Sequence, residues 1–69
     1  MPDHVYKTVE LTGTSGASLQ AAIENAIARA NETIRNVRWF DVSQVRGGVE
    51  SGKIARWQVT MKVGFTLDD

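Results

Sequence analysis

The chain has 69 residues, of which 42% are hydrophobic and 23% charged; its eight acidic residues balance its eight basic ones, and it contains no cysteine. This composition is typical of one small folded domain, 1–69, and it excludes a disulfide framework, a thiolate metal site and the strongly basic surface of a nucleic-acid-binding protein. No apolar run approaches the ~20 residues of a membrane span, and the polar start is not a signal peptide. We therefore expect a cytoplasmic protein with neither membrane nor nucleic-acid partners, and one small enough to favour self-association.

The first predicted element is a strand. Residues 4–12 place Val5, Val9 and Leu11 on one face, as in a strand that is buried on one side. The small and polar residues 13–16 interrupt this pattern and indicate a turn.

A helix is predicted next, because apolar residues recur at spacings of three and four over about five turns. These residues are Leu19, Ala22, Ile23, Ala26, Ile27, Ala30 and Ile34. Either Ser15 or Ser18 can serve as its N-cap, and Asn36 is the expected left-handed residue at its end.

Two further strands are predicted at 37–46 and 53–67, joined by a glycine-rich turn at 47–52. The last segment alternates apolar and polar side chains over its whole length. The apolar stripe of the helix and the apolar faces of the strands can cover one another. The expected fold is therefore α+β, a β-α-β-β protomer with a three-stranded antiparallel sheet curved around one helix.

Trp39 lies on the polar face of the second strand. Phe40 and Val42 share one face, so Trp39 shares the opposite face with Asp41 and Ser43. A large aromatic side chain in this position needs a partner, either another subunit or a flat ligand stacked on the indole. Tryptophan is enriched at subunit contacts, so a role as a subunit anchor is the plainer alternative.

A symmetric turn at 47–52 sets Trp39 opposite Thr60 and Asp41 opposite Gln58, with all four on the outer face of the sheet. Gln58 then becomes a diagonal neighbour of Trp39, at about 7–8 Å between backbones. An indole beside a carboxamide can hold a planar heterocycle, since the ring stacks and the amide donates to and accepts from its edge.

Catalytic and metal-binding motifs are not found in this sequence. His4 is the only histidine and lies near a terminus, where a mobile side chain is expected. A histidine-based triad or a multi-histidine metal site cannot be built from it. We therefore expect neither an enzyme nor a metalloprotein.

Several short motifs occur in a characteristic order along the chain. They are Val5-Tyr6-Lys7, Glu10-Leu11-Thr12-Gly13-Thr14-Ser15, Asn36-Val37-Arg38-Trp39-Phe40, Arg46-Gly47, Trp57-Gln58-Val59 and Lys62-Val63-Gly64-Phe65. With these motifs the chain resembles, over essentially its whole length, the dodecins, which are small flavin-binding proteins. The resemblance implies a hollow, roughly spherical homododecamer with paired flavins, FMN or riboflavin, between subunits. It also implies that Trp39 stacks on the isoalloxazine and Gln58 hydrogen-bonds its pyrimidine edge.

The resemblance implies further contacts. Arg46 matches an arginine that bacterial members place near the flavin phosphate, as a guanidinium fork allows. Thr66 stands where some members carry another basic residue, so a preference for FMN over riboflavin is left open. Some members also resemble coenzyme A binders. The candidates for coenzyme A in this sequence are Tyr6, Lys7, Arg29 and Arg35.

The function expected from the resemblance is non-catalytic flavin storage with photoprotective sequestration, in which the indole of Trp39 quenches the excited flavin. Two alternatives belong to other classes. One is a structural homo-oligomeric shell that binds no flavin and buries Trp39 between subunits. The other is a flavin-dependent reductase, which needs a nicotinamide site or a proton donor beside the flavin.

Overall fold

The structure is a computed structural model that describes residues 3–67. Strand β1 spans Tyr6–Ser15, helix α1 Leu19–Thr33, strand β2 Val37–Glu50 and strand β3 Lys53–Thr66. The sheet order is β1-β3-β2, and both neighbouring pairs are antiparallel. The predicted α+β fold with β-α-β-β order is confirmed, although β1 begins and ends later than predicted and β2 continues four residues further.

Ser18, rather than Ser15, is the N-cap of α1. Its backbone is extended, and its Oγ accepts a hydrogen bond from the Ala21 N–H at 3.0 Å. Ser15 stabilises the turn between β1 and α1, because its Oγ accepts a hydrogen bond from the Ala17 N–H at 2.9 Å. Both serines therefore stabilise the connection between β1 and α1. Only Ser18 accepts a hydrogen bond from an amide in the first turn of the helix.

The end of α1 differs in detail from the prediction. The helix ends at Thr33, and the N–H of its C-cap residue Ile34 donates to the Ala30 carbonyl at 2.9 Å. Asn36 has the predicted left-handed conformation, with φ of 65°. It lies two residues beyond the C-cap, however, and turns the chain into β2 instead of closing the helix.

The core is a close contact between α1 and the strands β1 and β3. Its buried residues are Ala22, Ala26, Val59, Met61 and Val63. Alanine side chains let the helix approach the sheet closely, and Gly13 of β1 lies beneath them. A Cβ at Gly13 would overlap the Ala22 carbonyl oxygen and approach the Ala26 Cβ to 2.8 Å. The helix can take this position only because residue 13 has no side chain.

The hairpin between β2 and β3 has a two-residue turn. Ser51 and Gly52 both have positive φ, 52° and 75°, the pattern of a type I′ turn that suits the twist of paired strands. The prediction of a glycine-rich turn over 47–52 is therefore wrong. Gly47 and Gly48 lie within β2, where they pair with Trp57 and Arg56.

The tight turn changes the register predicted for the hairpin. Trp39 faces Gly64 and not Thr60, and Asp41 faces Lys62 and not Gln58. Trp39 and Asp41 each face a β3 residue that lies four positions beyond the predicted partner, and four is an even number. The outer-face assignment of these side chains is therefore preserved, while their neighbours across the strands are different.

The helix leaves most of the helix side of β2 uncovered, because α1 packs on β1 and β3. Toward the turn from Trp57, β3 has no partner in β1, so the hairpin ends in a two-stranded arm, 48–56. Val49 and Ile54 pair on this arm and are 71% and 59% exposed. The protomer is elongated, with extents of 55 × 20 × 14 Å, and carries exposed apolar surface at the arm.

Candidate functional site

The candidate site lies on the outer face, the side of the sheet that points away from α1. Successive side chains of a strand point to opposite faces, so the residues of β3 that alternate with its core residues point to this face. Their partners on β1 and β2 point to the same face. From β2 these are Trp39, Asp41, Gln44 and Arg46, and from β3 they are Gln58, Thr60, Lys62, Gly64 and Thr66. From β1 they are Tyr6, Thr8, Glu10, Thr12 and Thr14.

The indole of Trp39 packs against Gly64. A Cβ built on Gly64 would overlap the indole, and its three nearest heavy atoms are the indole carbons Cε2, Cζ2 and Cδ2. The ring of Tyr6 meets the indole edge-on, with centroids 6.3 Å apart and planes at 61°. Trp39 nevertheless keeps 39% of its surface exposed. The sheet thus supports one part of the indole and leaves the rest available for a stacked ring.

Thr66 lies at the same end of the outer face. It pairs with Tyr6, is only 9% exposed, and its backbone N–H donates to the Asn36 carbonyl at 3.2 Å. Arg46 lies toward the other end of β2, where it pairs with Gln58. The structure therefore separates the two positions that were considered for the flavin phosphate, and the one near Trp39 offers only a neutral hydroxyl.

Gln58 and Arg46 form the second part of the outer face. Gln58 is half-buried between Arg46 on β2 and Thr14 on β1, its direct partners in the sheet. Directly opposed residues have backbones about 4.5–5.5 Å apart. A carboxamide and a guanidinium can therefore contact one ligand together.

The two parts of the outer face are far apart within one protomer. Gln58 and Gly64, the partner of Trp39, are six positions apart on β3. At the rise of a strand this is ~20 Å. The hypothesis that Gln58 is a diagonal neighbour of Trp39 is therefore wrong.

Polar side chains fill the space between these two parts. Lys62 lies between Asp41 of β2 and Glu10 of β1. Asp41 is thus two positions from Trp39 on the same strand, nearer to the indole than to Gln58. One step further on, the Oγ1 atoms of Thr12 and Thr60 are 3.0 Å apart.

A β-bulge interrupts the pairing of β2 at Ser43, between Val42 and Gln44. The Ser43 Oγ donates to the Thr60 carbonyl at 3.2 Å. The extra residue reverses the side-chain alternation of β2, so that Gln44 and Arg46 join Trp39 and Asp41 on the outer face.

The four coenzyme A candidates do not form one site within the protomer. Tyr6 is on the outer face, whereas Lys7 pairs with Phe65 and points to the helix side. Arg29 is exposed on α1, with its Nε 4.0 Å from a carboxylate oxygen of Glu32. Arg35 lies in the connection from α1 to β2.

Within residues 3–67 no group of three or more His, Cys, Asp or Glu side chains is placed to hold a metal ion. Over the same residues, no helix has both the length and the apolar character required to cross a membrane.

Two relationships in the candidate site were not predicted from the sequence. They are the contact of Trp39 with Gly64 and the pairing of Gln58 with Arg46. The signal that could have found the first is the dipeptide Ser51-Gly52, because a two-residue hairpin turn there sets Trp39 opposite Gly64. The pairing of Gln58 with Arg46 also requires the register shift between Gly48 and Val49.

Comparison with known proteins agrees with this fold. The family model described as Dodecin matches residues 5–68, and the chain belongs to the dodecin family. It is 46% identical over 65 residues to a dodecin of Thermus thermophilus, covering 94% of each chain.

Solved structures are equally similar. The dodecin of Streptomyces davaonensis has a TM-score of 0.91 at 48% identity, over 99% of this chain and 100% of that one. The dodecin of Streptomyces coelicolor has a TM-score of 0.90 at 45% identity, over 100% of this chain and 99% of that one. The β-α-β-β protomer is thus the protomer of this family.

Proposed function

We propose that this dodecin is a non-catalytic flavin-binding protein that stores FMN or riboflavin and shields it from light, in the cytoplasm and as a hollow homododecamer. The observation that carries the proposal is the placement of Trp39. Its indole is supported by the sheet, is in contact with Tyr6 and is still 39% exposed. An exposed aromatic plane held in this way is suited to stacking on a flat heterocycle.

Stacking on Trp39 supplies both affinity and protection. Aromatic contact contributes about 0.5–1.5 kcal/mol beyond the burial of area. A bound flavin would supply a planar ring that accepts an electron when excited by light. The electron-rich indole in contact with that ring quenches the excited state before it can form harmful radicals.

Gln58 and Arg46 recognise the polar parts of the ligand. The carboxamide of Gln58 has donors and an acceptor that match the alternating pyrimidine edge of the isoalloxazine. The exposed guanidinium of Arg46, directly across from Gln58, is available for a phosphate. Thr66 is buried and neutral. Among the residues proposed to contact the flavin, Arg46 is therefore the one that selects FMN over riboflavin, by binding the phosphate.

The proposed site is shared between protomers. A separation of ~20 Å along β3 prevents Trp39 and Gln58 of one chain from contacting the same isoalloxazine. The exposed apolar surface on the helix side of the hairpin, which includes Val45, Val49 and Ile54, supports assembly. Association that covers this surface can bring Trp39 of one protomer to Gln58 of another.

The same apolar surface favours a second candidate, the structural shell that binds no flavin. This shell requires only that association cover the hairpin and Trp39. The two candidates differ in whether flavin binds at a saturable site in contact with Trp39.

The deciding experiment is a parallel titration of flavin-stripped protein with riboflavin and FMN, following tryptophan and flavin fluorescence together. Saturable mutual quenching at a fixed stoichiometry is expected, and Trp39→Ala should abolish it. Trp57→Phe is the matched control, because Trp57 packs on the helix side against the core. Absence of quenching with both ligands would refute flavin binding and leave the structural shell.

The non-catalytic part of the proposal has its own test. Flavin-loaded protein is mixed with NADH, and the absorbance of NADH is followed over time. No consumption above that of an equal amount of unbound flavin is expected. Protein-dependent turnover would identify a reductase instead.

A further inference from the structure

The contact between the Trp39 indole and Gly64 determines where the indole lies in the candidate ligand site. All three of the nearest heavy atoms that a Cβ at residue 64 would meet belong to the indole. The ring therefore occupies the space of the missing side chain. With any other residue at position 64, the indole would have to move away from the sheet.

Backbone conformation does not explain the glycine. Gly64 lies outside the left-handed region, so an L-amino acid can adopt its backbone angles. Glycine in the interior of a strand also weakens the strand, because it packs poorly and loses more entropy on folding. A central strand with glycine at a paired position needs another reason for it, and close approach of a ring is such a reason.

Tyr6 restricts the indole from the side. Its ring lies edge-on to Trp39, and the ring of His4 lies edge-on to Tyr6 with centroids 6.4 Å apart. Gly64 limits how deep the indole lies, and Tyr6 limits its lateral movement. Edge-to-face contacts of this kind stabilise a ring orientation beyond simple burial.

We propose that Gly64 is a positioning residue for flavin stacking, and that its missing side chain, together with Tyr6, sets the plane and depth of the Trp39 indole. This inference rests on the flavin-binding function proposed above. A side chain at residue 64 lifts the indole into the space that the stacked ring would occupy. Affinity then falls although Trp39, Gln58 and Arg46 are all present.

The test compares Gly64→Ala with Gly16→Ala. Gly16 is the matched control, since a Cβ there would meet its nearest neighbour, the Ala55 carbonyl oxygen, at an ordinary 3.8 Å. Riboflavin affinity of Gly64→Ala should fall about tenfold or more, and that of Gly16→Ala should stay as in the unsubstituted protein. Equal affinity and equal quenching for both variants would overturn the inference.

A spectroscopic readout separates positioning from stability. The near-ultraviolet circular dichroism of Trp39, obtained by subtracting the Trp39→Phe spectrum, should change in Gly64→Ala and Tyr6→Leu. The far-ultraviolet spectrum should stay the same. An unchanged Trp39 signal in Gly64→Ala would contradict the inference even if the unsubstituted protein binds no flavin, so the two proposals fail independently.

A double-mutant cycle covers the case in which Gly64→Ala folds poorly. In the background of Trp39→Ala the indole is absent, and the destabilisation caused by Gly64→Ala should disappear at a fixed protomer concentration. Restored folding in the double variant supports direct contact with the indole. An equal loss of folding in both backgrounds would show that residue 64 must be glycine for another reason.

Discussion

Trp39 and Gln58 share the outer face of the sheet, but they lie at separate places on it. Trp39 pairs with Gly64 and Gln58 pairs with Arg46, which puts ~20 Å of strand between them. A flavin that contacts both side chains must lie between two protomers. This relationship leads to a test by mixing variants.

Protomers with Trp39→Ala and protomers with Gln58→Ala, unfolded, mixed in equal amounts and reassembled, should recover flavin binding that neither variant has alone. With random mixing and one residue from each of two protomers, about one site in four is intact in a symmetric assembly. Flavin fluorescence quenching measures the recovered fraction. The double variant mixed with unsubstituted protein is the control for reassembly, and zero recovery from the two single variants would contradict a shared site.

Arg46→Ala should weaken FMN binding about tenfold, because a charge-assisted hydrogen bond is lost, and should change riboflavin binding little. Parallel titrations at low and high salt measure the effect, and the difference should shrink as salt screens the charge. Arg29→Ala, which removes an exposed arginine from α1, is the control. An equal loss for FMN and riboflavin would show that Arg46 acts on the shape of the site and not on phosphate.

Ile54→Lys should disrupt assembly while the protomer keeps its secondary structure. It introduces a charge on the apolar side of the hairpin arm, where Ile54 is 59% exposed in the single chain. Sedimentation velocity and circular dichroism measure the two properties. Val5→Ser changes a similarly exposed residue outside the arm, with 64% of its surface accessible, and should assemble normally. Intact assembly of Ile54→Lys would show that the arm is not an interface.

Ser18→Ala should lower the free energy of unfolding by about 1 kcal/mol, because the first turn of α1 loses the acceptor for the Ala21 N–H. Denaturant unfolding at fixed protomer concentration measures the loss. Ser18→Asp keeps an acceptor and adds negative charge at the helix N-terminus, whose first turn has no acidic residue. This variant should match or exceed the unsubstituted protein, and a loss equal to that of Ser18→Ala would exclude capping as the cause.

The sequence predicted the elements well because hydrophobic period depends on local residues. The stripe from Leu19 to Ala30 could bury one face only as a helix, and the alternation after Lys53 only as a strand. The choice between Ser15 and Ser18 as N-cap was not decided by pattern, since both precede the stripe. It required the backbone of Ser18 and the reach of its hydroxyl to Ala21.

The site was predicted in part. Trp39 and Gln58 are on the same face, as expected, because the error in register was even. Their distance was wrong because Gly47 and Gly48 were interpreted as turn residues, although the chain reverses at Ser51 and Gly52. Glycine marks both turns and positions of close backbone approach, and a Cβ at Gly47 would meet the Arg56 carbonyl oxygen at 2.5 Å. Sequence pattern alone does not distinguish these two uses.

The two-stranded arm has a consequence for how much working protein a cell contains. An isolated ribbon of two strands is marginal in water, so in the proposed assembly the arm gains its full stability only when protomers associate. The stability of the proposed assembly depends on protomer concentration. We therefore expect protein made in small amounts to remain dissociated and open to proteases, and protein made above the association threshold to persist. We expect flavin-binding capacity to increase more steeply than the rate of synthesis, so that a modest induction switches storage on.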